Sequence, residues 1–227
     1  HIAKILANEF PPYDSDTWFN YSNRIEHKKL LSDWRKFPKT TYQFFTFLNS
    51  KWVLNTLSNL TNSLLIEDQG LHGGGWHIHS NGGKLNPHLD YSIHPMLGLQ
   101  RKLNLIIYLS EGWNESYGGH FGLWDQHPTK LRSNNLVKEI EIKFNRAVLF
   151  DTTEKSWHGL SKKVKCPEGI YRKSLATYYL KEPTPNTNPR NRALFSPTKD
   201  QLNDPTINEF ISKRSNLNLS NETYIEK

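Results

Sequence analysis

Between residues 72 and 182 the chain carries eight short β-type runs, each parted from the next by Gly, Asn or Pro, and this constrains the fold more than any other feature. The runs are GWHIHSN, NPHLDYS, KLNLIIYLS, GHFGLWD, LVKEIEIKF, RAVLFDT, SWHGLS and YRKSLATYYL. Several alternate apolar with polar side chains, the period of a strand with one polar face. Others are nearly continuous apolar runs rich in Ile, Leu and Tyr. Such a series predicts an all-β sandwich or barrel. Helical signals lie ahead of it, so the expected architecture is mainly β with flanking helices, a jelly roll.

The clearest helical signal is NSKWVLNTLSNLTNSLL, where Val53, Leu57, Leu60 and Leu64 form one stripe and Asn49 or Ser50 can cap the start. The expected partition is a single domain over 1–227: a helical flank over 1–71, a β core over 72–182 and an extension over 183–227. At 227 residues the chain is long enough for one well-buried core. Past Glu182 the sequence reads as a loop, then a short helix within KDQLNDPTINEFISKR, then a weakly ordered end.

Composition excludes several classes. No apolar run approaches the roughly 20 residues of a membrane helix, so no membrane partner is expected. HIAKILANEF has no secretory pattern. The one cysteine, Cys166, allows neither an intrachain disulfide nor a Cys-based zinc site, and a reducing, cytoplasmic setting follows as the default. The net charge of +7 is modest and scattered. Its one local cluster, KKVK at 162–165, reads as a solvated loop rather than a nucleic-acid patch.

His88 and Asp90 stand two apart on an expected strand, so both side chains leave one face and can reach one ion. By itself His-x-Asp is short enough to arise by chance and is equally compatible with a structural role. His158 in SWHGLS and Arg172 at the head of an amphipathic strand extend it to an ordered set. Two His and one carboxylate on one face of an ion form the facial triad of non-haem Fe(II) oxygenases. Three octahedral positions stay open, two for a bidentate keto acid and one for O2. His77 and His79 also share a strand face, but the residues after them lack the Glu or Asp of other His-x-His sites. They are expected to line the barrel or a strand edge. His94 precedes Pro95 and is expected at a rim or loop. His120 shows no partner.

In their order along the chain, GLHGGGWHIHSNGGKLNPHLDY, RKLNLIIYLSEGWNESYGGHFGLWD, AVLFDTTEKSWHGLS and YRKSLATYYL resemble the prolyl-4-hydroxylase-like branch of the 2-oxoglutarate- and Fe(II)-dependent oxygenases. The resemblance runs from about residue 45 to residue 181. It implies a double-stranded β-helix, cupin-like in build, with Fe(II) held by His88, Asp90 and His158. It also implies that Arg172 pairs with the distal carboxylate of 2-oxoglutarate, a natural role for a guanidinium fork, assisted by Tyr108. Ser174, on the Arg172 face, can donate to the same carboxylate, and Asn104, on the Tyr108 face, can line the pocket. Lys173 points the other way. KKVKCPEG, between His158 and Arg172, looks like a hairpin insertion.

The implied reaction consumes 2-oxoglutarate and O2, releases succinate and CO2, and hydroxylates an unactivated C–H, with ascorbate as an optional reductant. A prolyl residue of a protein or peptide is the substrate suggested by analogy. A free amino acid or other small metabolite is the alternative, and a non-catalytic jelly-roll binding module is the alternative of another class. The cosubstrate strand RKSLATY lacks the Asn and second Arg of nucleic-acid demethylases, which argues against a nucleic-acid substrate. The oligomeric state is left open.

Overall fold

The computed structural model describes residues 1–226, which form two antiparallel sheets around a central cavity, with helices outside. The α-helices are α1 (Ile2–Asn8), α2 (Lys39–Leu48), α3 (Lys51–Thr61) and α4 (Pro205–Ser215). The strands are β1 (Phe19–Ser22), β2 (Glu26–Leu31), β3 (Ile66–Glu67), β4 (Gly75–His79), β5 (Lys84–Leu85), β6 (His88–Leu89), β7 (Gln100–Tyr108), β8 (Phe121–Gln126), β9 (Ser133–Ile140), β10 (Ala147–Asp151), β11 (Trp157–Leu160), β12 (Arg172–Lys181) and β13 (Leu194–Phe195). The larger sheet runs β1-β2-β4-β12-β7-β10, with β3 on β12 and β5 on β2. The smaller runs β13-β6-β11-β8-β9. This is the expected jelly roll, and each of the eight runs contributes a strand.

Period-2 alternation sorts the larger sheet into two environments. On β4, Trp76 and Ile78 face the helices, while His77 and His79 line the cavity. On β12, Leu175 and Tyr179 face outward, while Arg172, Ser174, Ala176 and Tyr178 face the cavity. The outward face is sealed by an aromatic layer in which Trp76 packs on Phe10 (4.9 Å between centroids) and Phe37 (5.1 Å). Each buried ring contributes about 2–3 kcal/mol, against roughly 1 kcal/mol net for a hydrogen bond. Apolar packing therefore dominates the attachment of α1 and α2. Gly75 permits the approach of β2: it has φ +92°, and a Cβ there would meet the Leu31 carbonyl oxygen at 2.2 Å.

The structure departs from the sequence reading in four places. The stretch over 1–71 is not only helical, because β1 and β2 add a hairpin to the larger sheet. Its turn is held by Asn23, whose Oδ1 accepts from the backbone of Ile25 and Glu26, both at 2.9 Å. In α3 the buried residues are Val53 and Leu54, with Leu57 packed beside them. Leu60, in the last turn, is exposed, and so is Leu64, which lies past the end of the helix at Thr61, where Asn62 turns left-handed. KKVKCPEG forms no hairpin: residues 161–171 contain no strand, and Val164 instead bonds to the backbone of Gly82 and Gly83.

The last departure is the C-terminal end, which is packed rather than loose. Ser220 and Thr223 are buried, and Tyr224 meets Phe19 and Tyr21 edge-on. Asn23 donates to the Thr223 carbonyl at 2.9 Å, and Arg24 pairs with Glu226 at 2.6 Å. In α4, Arg214 forms a buried ion pair with Glu26 of β2 at 2.8 Å. Removing one partner of such a pair strands the other charge in a low dielectric. Arg214→Ala should therefore cost about 3 kcal/mol or more, read as a lower urea midpoint. An unchanged midpoint would show that the tether contributes nothing to stability.

Candidate active site

The cavity between the sheets has a volume of about 160 Å³. β6 and β11 pair so that His88 stands directly opposite His158, with ring centroids 4.3 Å apart. Asp90 follows β6 on the His88 face. Its Oδ1 lies 3.7 Å from His88 Nε2 and its Oδ2 lies 3.5 Å from His158 Nε2. One ligand atom from each of the three residues falls within 4.8 Å of the others.

The protonation pattern of this cluster is informative. His88 Nδ1 lies 3.0 Å from the Asn86 carbonyl and His158 Nδ1 lies 2.9 Å from the Ser156 carbonyl. A carbonyl only accepts, so both Nδ1 atoms carry the hydrogen and both Nε2 lone pairs point inward. Burial, reinforced at His88 by the neighbouring His158, lowers both imidazole pKa values and favours the neutral rings. Burial alone would raise the Asp90 pKa, but the Arg101 guanidinium beside it holds it well below the carboxylate range. Three acceptors thus converge with no proton to share. Two neutral imidazoles and one carboxylate suit a divalent transition metal, and the donor set fits Fe(II).

Arg101, which sequence reasoning missed, neutralises Asp90. Its Nη1 lies 3.1 Å from Asp90 Oδ1, its Nη2 donates to the His72 carbonyl at 2.9 Å, and its guanidinium is clamped between Tyr91 and Tyr178, 3.3 Å from each ring centroid. Strict alternation would send Arg101 outward with Leu103. A register shift between β7 and β12 at Tyr179/Leu180 turns it inward, the ordinary effect of a bulge. Asn104 Nδ2 also approaches Asp90, at 3.4 Å. Arg190, likewise missed, donates to the Asp90 carbonyl at 2.7 Å.

Arg172 lies on the same cavity wall, buried, with Nε donating to the Gly119 carbonyl at 2.8 Å. Ser174 follows it on that wall, and Tyr108 pairs with Ser174 in register. Tyr108 is fully buried, 5.1 Å from ring centroid to the Arg172 guanidinium, and its hydroxyl has no hydrogen-bond partner among the described residues. The register sets His79 against Arg172 and His77 against Ser174. Both ring nitrogens of buried His79 are unpartnered among the described residues. Lys173 points outward and donates to the Ala7 carbonyl. Trp157 belongs to the core, its indole donating to Gln126 at 2.6 Å. His94 serves its loop, accepting from the backbone of Met96 and Leu97. His120 spans the Glu115 carbonyl and the Ile142 amide.

Residues 74–180 match the family model described as the 2OG-Fe(II) oxygenase superfamily. Over that stretch, just under half of its length, the chain has the sequence pattern of that superfamily. It is an enzyme of this class, which works with Fe(II), 2-oxoglutarate and O2. No curated protein matches the chain. Among solved structures, it is similar in fold to a Trichoplax adhaerens prolyl hydroxylase in complex with a hypoxia-inducible-factor oxygen-degradation-domain peptide fragment. That match has 18% identity and TM-score 0.55, and covers 79% of this chain and 78% of the other. It is also similar to a Pseudomonas putida prolyl-4-hydroxylase at 18% identity and TM-score 0.50, covering 81% and 87%.

The buried histidines set a pH dependence of stability. Burial pushes the His77 pKa down to about 3 and the His79 pKa well below its usual value. Below about pH 6.5 the unfolded chain takes up protons at these positions that the folded chain refuses, so stability falls as pH falls. Each such histidine adds up to about 1.4 kcal/mol per pH unit. Urea midpoints should drop between pH 7 and pH 5, and His79→Gln should flatten the drop. A flat wild-type profile would contradict the neutral assignment.

Proposed function

We propose that the protein hydroxylates an unactivated C–H bond of a prolyl residue in a protein or peptide, with succinate and CO2 as coproducts. The observation that carries this reading is the convergence of two inward Nε2 lone pairs and one carboxylate in the cavity that Arg172 lines. The fold likeness to prolyl hydroxylases supports the prolyl assignment.

In this reading His88, Asp90 and His158 hold Fe(II), which with 2-oxoglutarate and O2 supplies the oxidising power for the C–H bond. The remaining work belongs to the chain. The backbone carbonyls of Asn86 and Ser156 fix the imidazole tautomers. Arg101 keeps Asp90 ionised and oriented, and Asn104 supports it. Arg172 presents its guanidinium to the distal carboxylate of 2-oxoglutarate, with Ser174 beside it and Tyr108 behind. His79, unpartnered beside Arg172, offers a further neutral hydrogen-bonding group to the same pocket. A second reading, hydroxylation of a small metabolite, draws support from the walling of the cavity by Arg214 and Tyr224 of the C-terminal segment.

Fe(II)-dependent conversion of 2-oxoglutarate to succinate should be lost in His88→Ala and in Asp90→Ala. Turnover persisting in either folded variant would remove that residue from the metal site. Arg172→Ala should raise the half-saturating 2-oxoglutarate concentration by roughly tenfold or more, because charge-assisted bonds are lost. Arg101→Leu should weaken Mn(II) binding by about 10–100-fold, the usual effect of losing a partner of a metal ligand, measured by calorimetry. Panels of prolyl peptides and of metabolites, scored by stimulated succinate release, separate the two substrate readings. Stimulation by metabolites alone would replace the first with the second.

A further inference from the structure

Towards the β1 edge of the larger sheet the cavity acquires a second set of polar walls that the metal and keto-acid sites leave unused. They are Tyr21, Glu26 and Lys28 of the β1–β2 hairpin, Arg192 just before β13, and Arg214 and Tyr224 of the C-terminal segment. Lys28 precedes the Lys29–Ile78 register pair, so it falls beside His79, which in turn faces Arg172. Its ammonium also adds to the depression of the His77 and His79 pKa values, as expected of a charge facing the cavity.

The charges lining this cavity do not balance. The cations are Lys28, Arg101, Arg172, Arg192 and Arg214, whereas the carboxylates are Glu26 and Asp90. Arg101 is committed to Asp90 and Arg214 to Glu26, at 3.1 and 2.8 Å. Lys28 shares the same Glu26 at 3.4 Å, at its other oxygen. Arg192 has no ion-pair partner among the described residues, and its Nε is buried without a hydrogen bond. Fe(II) and doubly ionised 2-oxoglutarate would cancel each other and leave the excess positive charge in place. Arg192 and Lys28 are half-buried at this wall, and uncompensated cations facing a partly enclosed cavity favour an occupant that is negative there.

We infer that the substrate carries a carboxylate near the carbon to be hydroxylated, and that Arg192 and Lys28 receive it. The inference rests on the oxygenase reading above and narrows its substrate class. The carboxylate has two sources, the free α-carboxylate of a terminal or single prolyl unit and an acidic side chain next to an internal one.

Two matched ligand sets test it. One pairs free proline and short peptides ending in proline with their amides. The other pairs peptides carrying Glu or Asp beside an internal proline with their Gln or Asn counterparts. Binding is measured by calorimetry under anaerobic conditions on protein loaded with Fe(II) and 2-oxoglutarate, and stimulated succinate release is measured in air. In one set the acids should bind roughly tenfold or more tightly than the neutral partners, and that set identifies the source. Arg192→Gln and Lys28→Met should each weaken the acid and spare its neutral partner, with Arg192→Lys retaining part of the preference. Equal binding of acids and neutral partners, parallel losses in the variants, or no binding by either set would overturn the inference. Succinate release without an acid preference sinks only this inference, while an acid preference without any succinate sinks the oxygenase reading.

Discussion

A single buried carboxylate organises the centre of this molecule. Asp90 sits among two neutral imidazoles that offer it no proton, so its charge must be met elsewhere. Arg101 meets it on one side, and the geometry leaves room for a cation between Asp90, His88 and His158 on the other. The guanidinium is itself held by two tyrosine faces and the His72 carbonyl, so the charge that balances Asp90 is rigid as well as close. In a low-dielectric interior such fixed pairing is what permits ionised groups to be buried at all.

The sheet supplies that interior by giving each strand two opposite duties. Trp76 and Ile78 anchor the helices while His77 and His79, between and after them on β4, face the cavity. Leu175 and Arg172 divide β12 in the same way. The polar cavity therefore stands on the same strands whose other faces are packed with aromatic and aliphatic side chains. That packing holds the site side chains in register without contacting them.

The ends of the chain close the cavity. The β1–β2 hairpin extends the larger sheet, and the C-terminal segment returns onto that hairpin through Asn23, Arg24 and Glu26. Lys28 of β2, Arg192 ahead of β13 and Arg214 of α4 bring three cations to the cavity from separated parts of the sequence. Together with Arg101 and Arg172 of the core strands they make the cavity cationic, and an anionic substrate group is its natural complement.

Much of the architecture was legible in the residues. The eight core strands follow from runs bounded by Gly, Asn and Pro, and the shared face of His88 with Asp90 and of Arg172 with Ser174 follows from two-residue spacing. Regions with weaker local signals were not legible: the β1–β2 hairpin, the early stop of α3 and the packed C-terminal end. The sequence by itself determined which strands exist and which side chains share a face, because strand periodicity is local. Only the tertiary structure decided that Arg101 turns inward, since the bulge that reverses it is a mismatch in pairing between β7 and β12, and that Arg192 and Arg214 join Lys28, since long-range closure has no local signature.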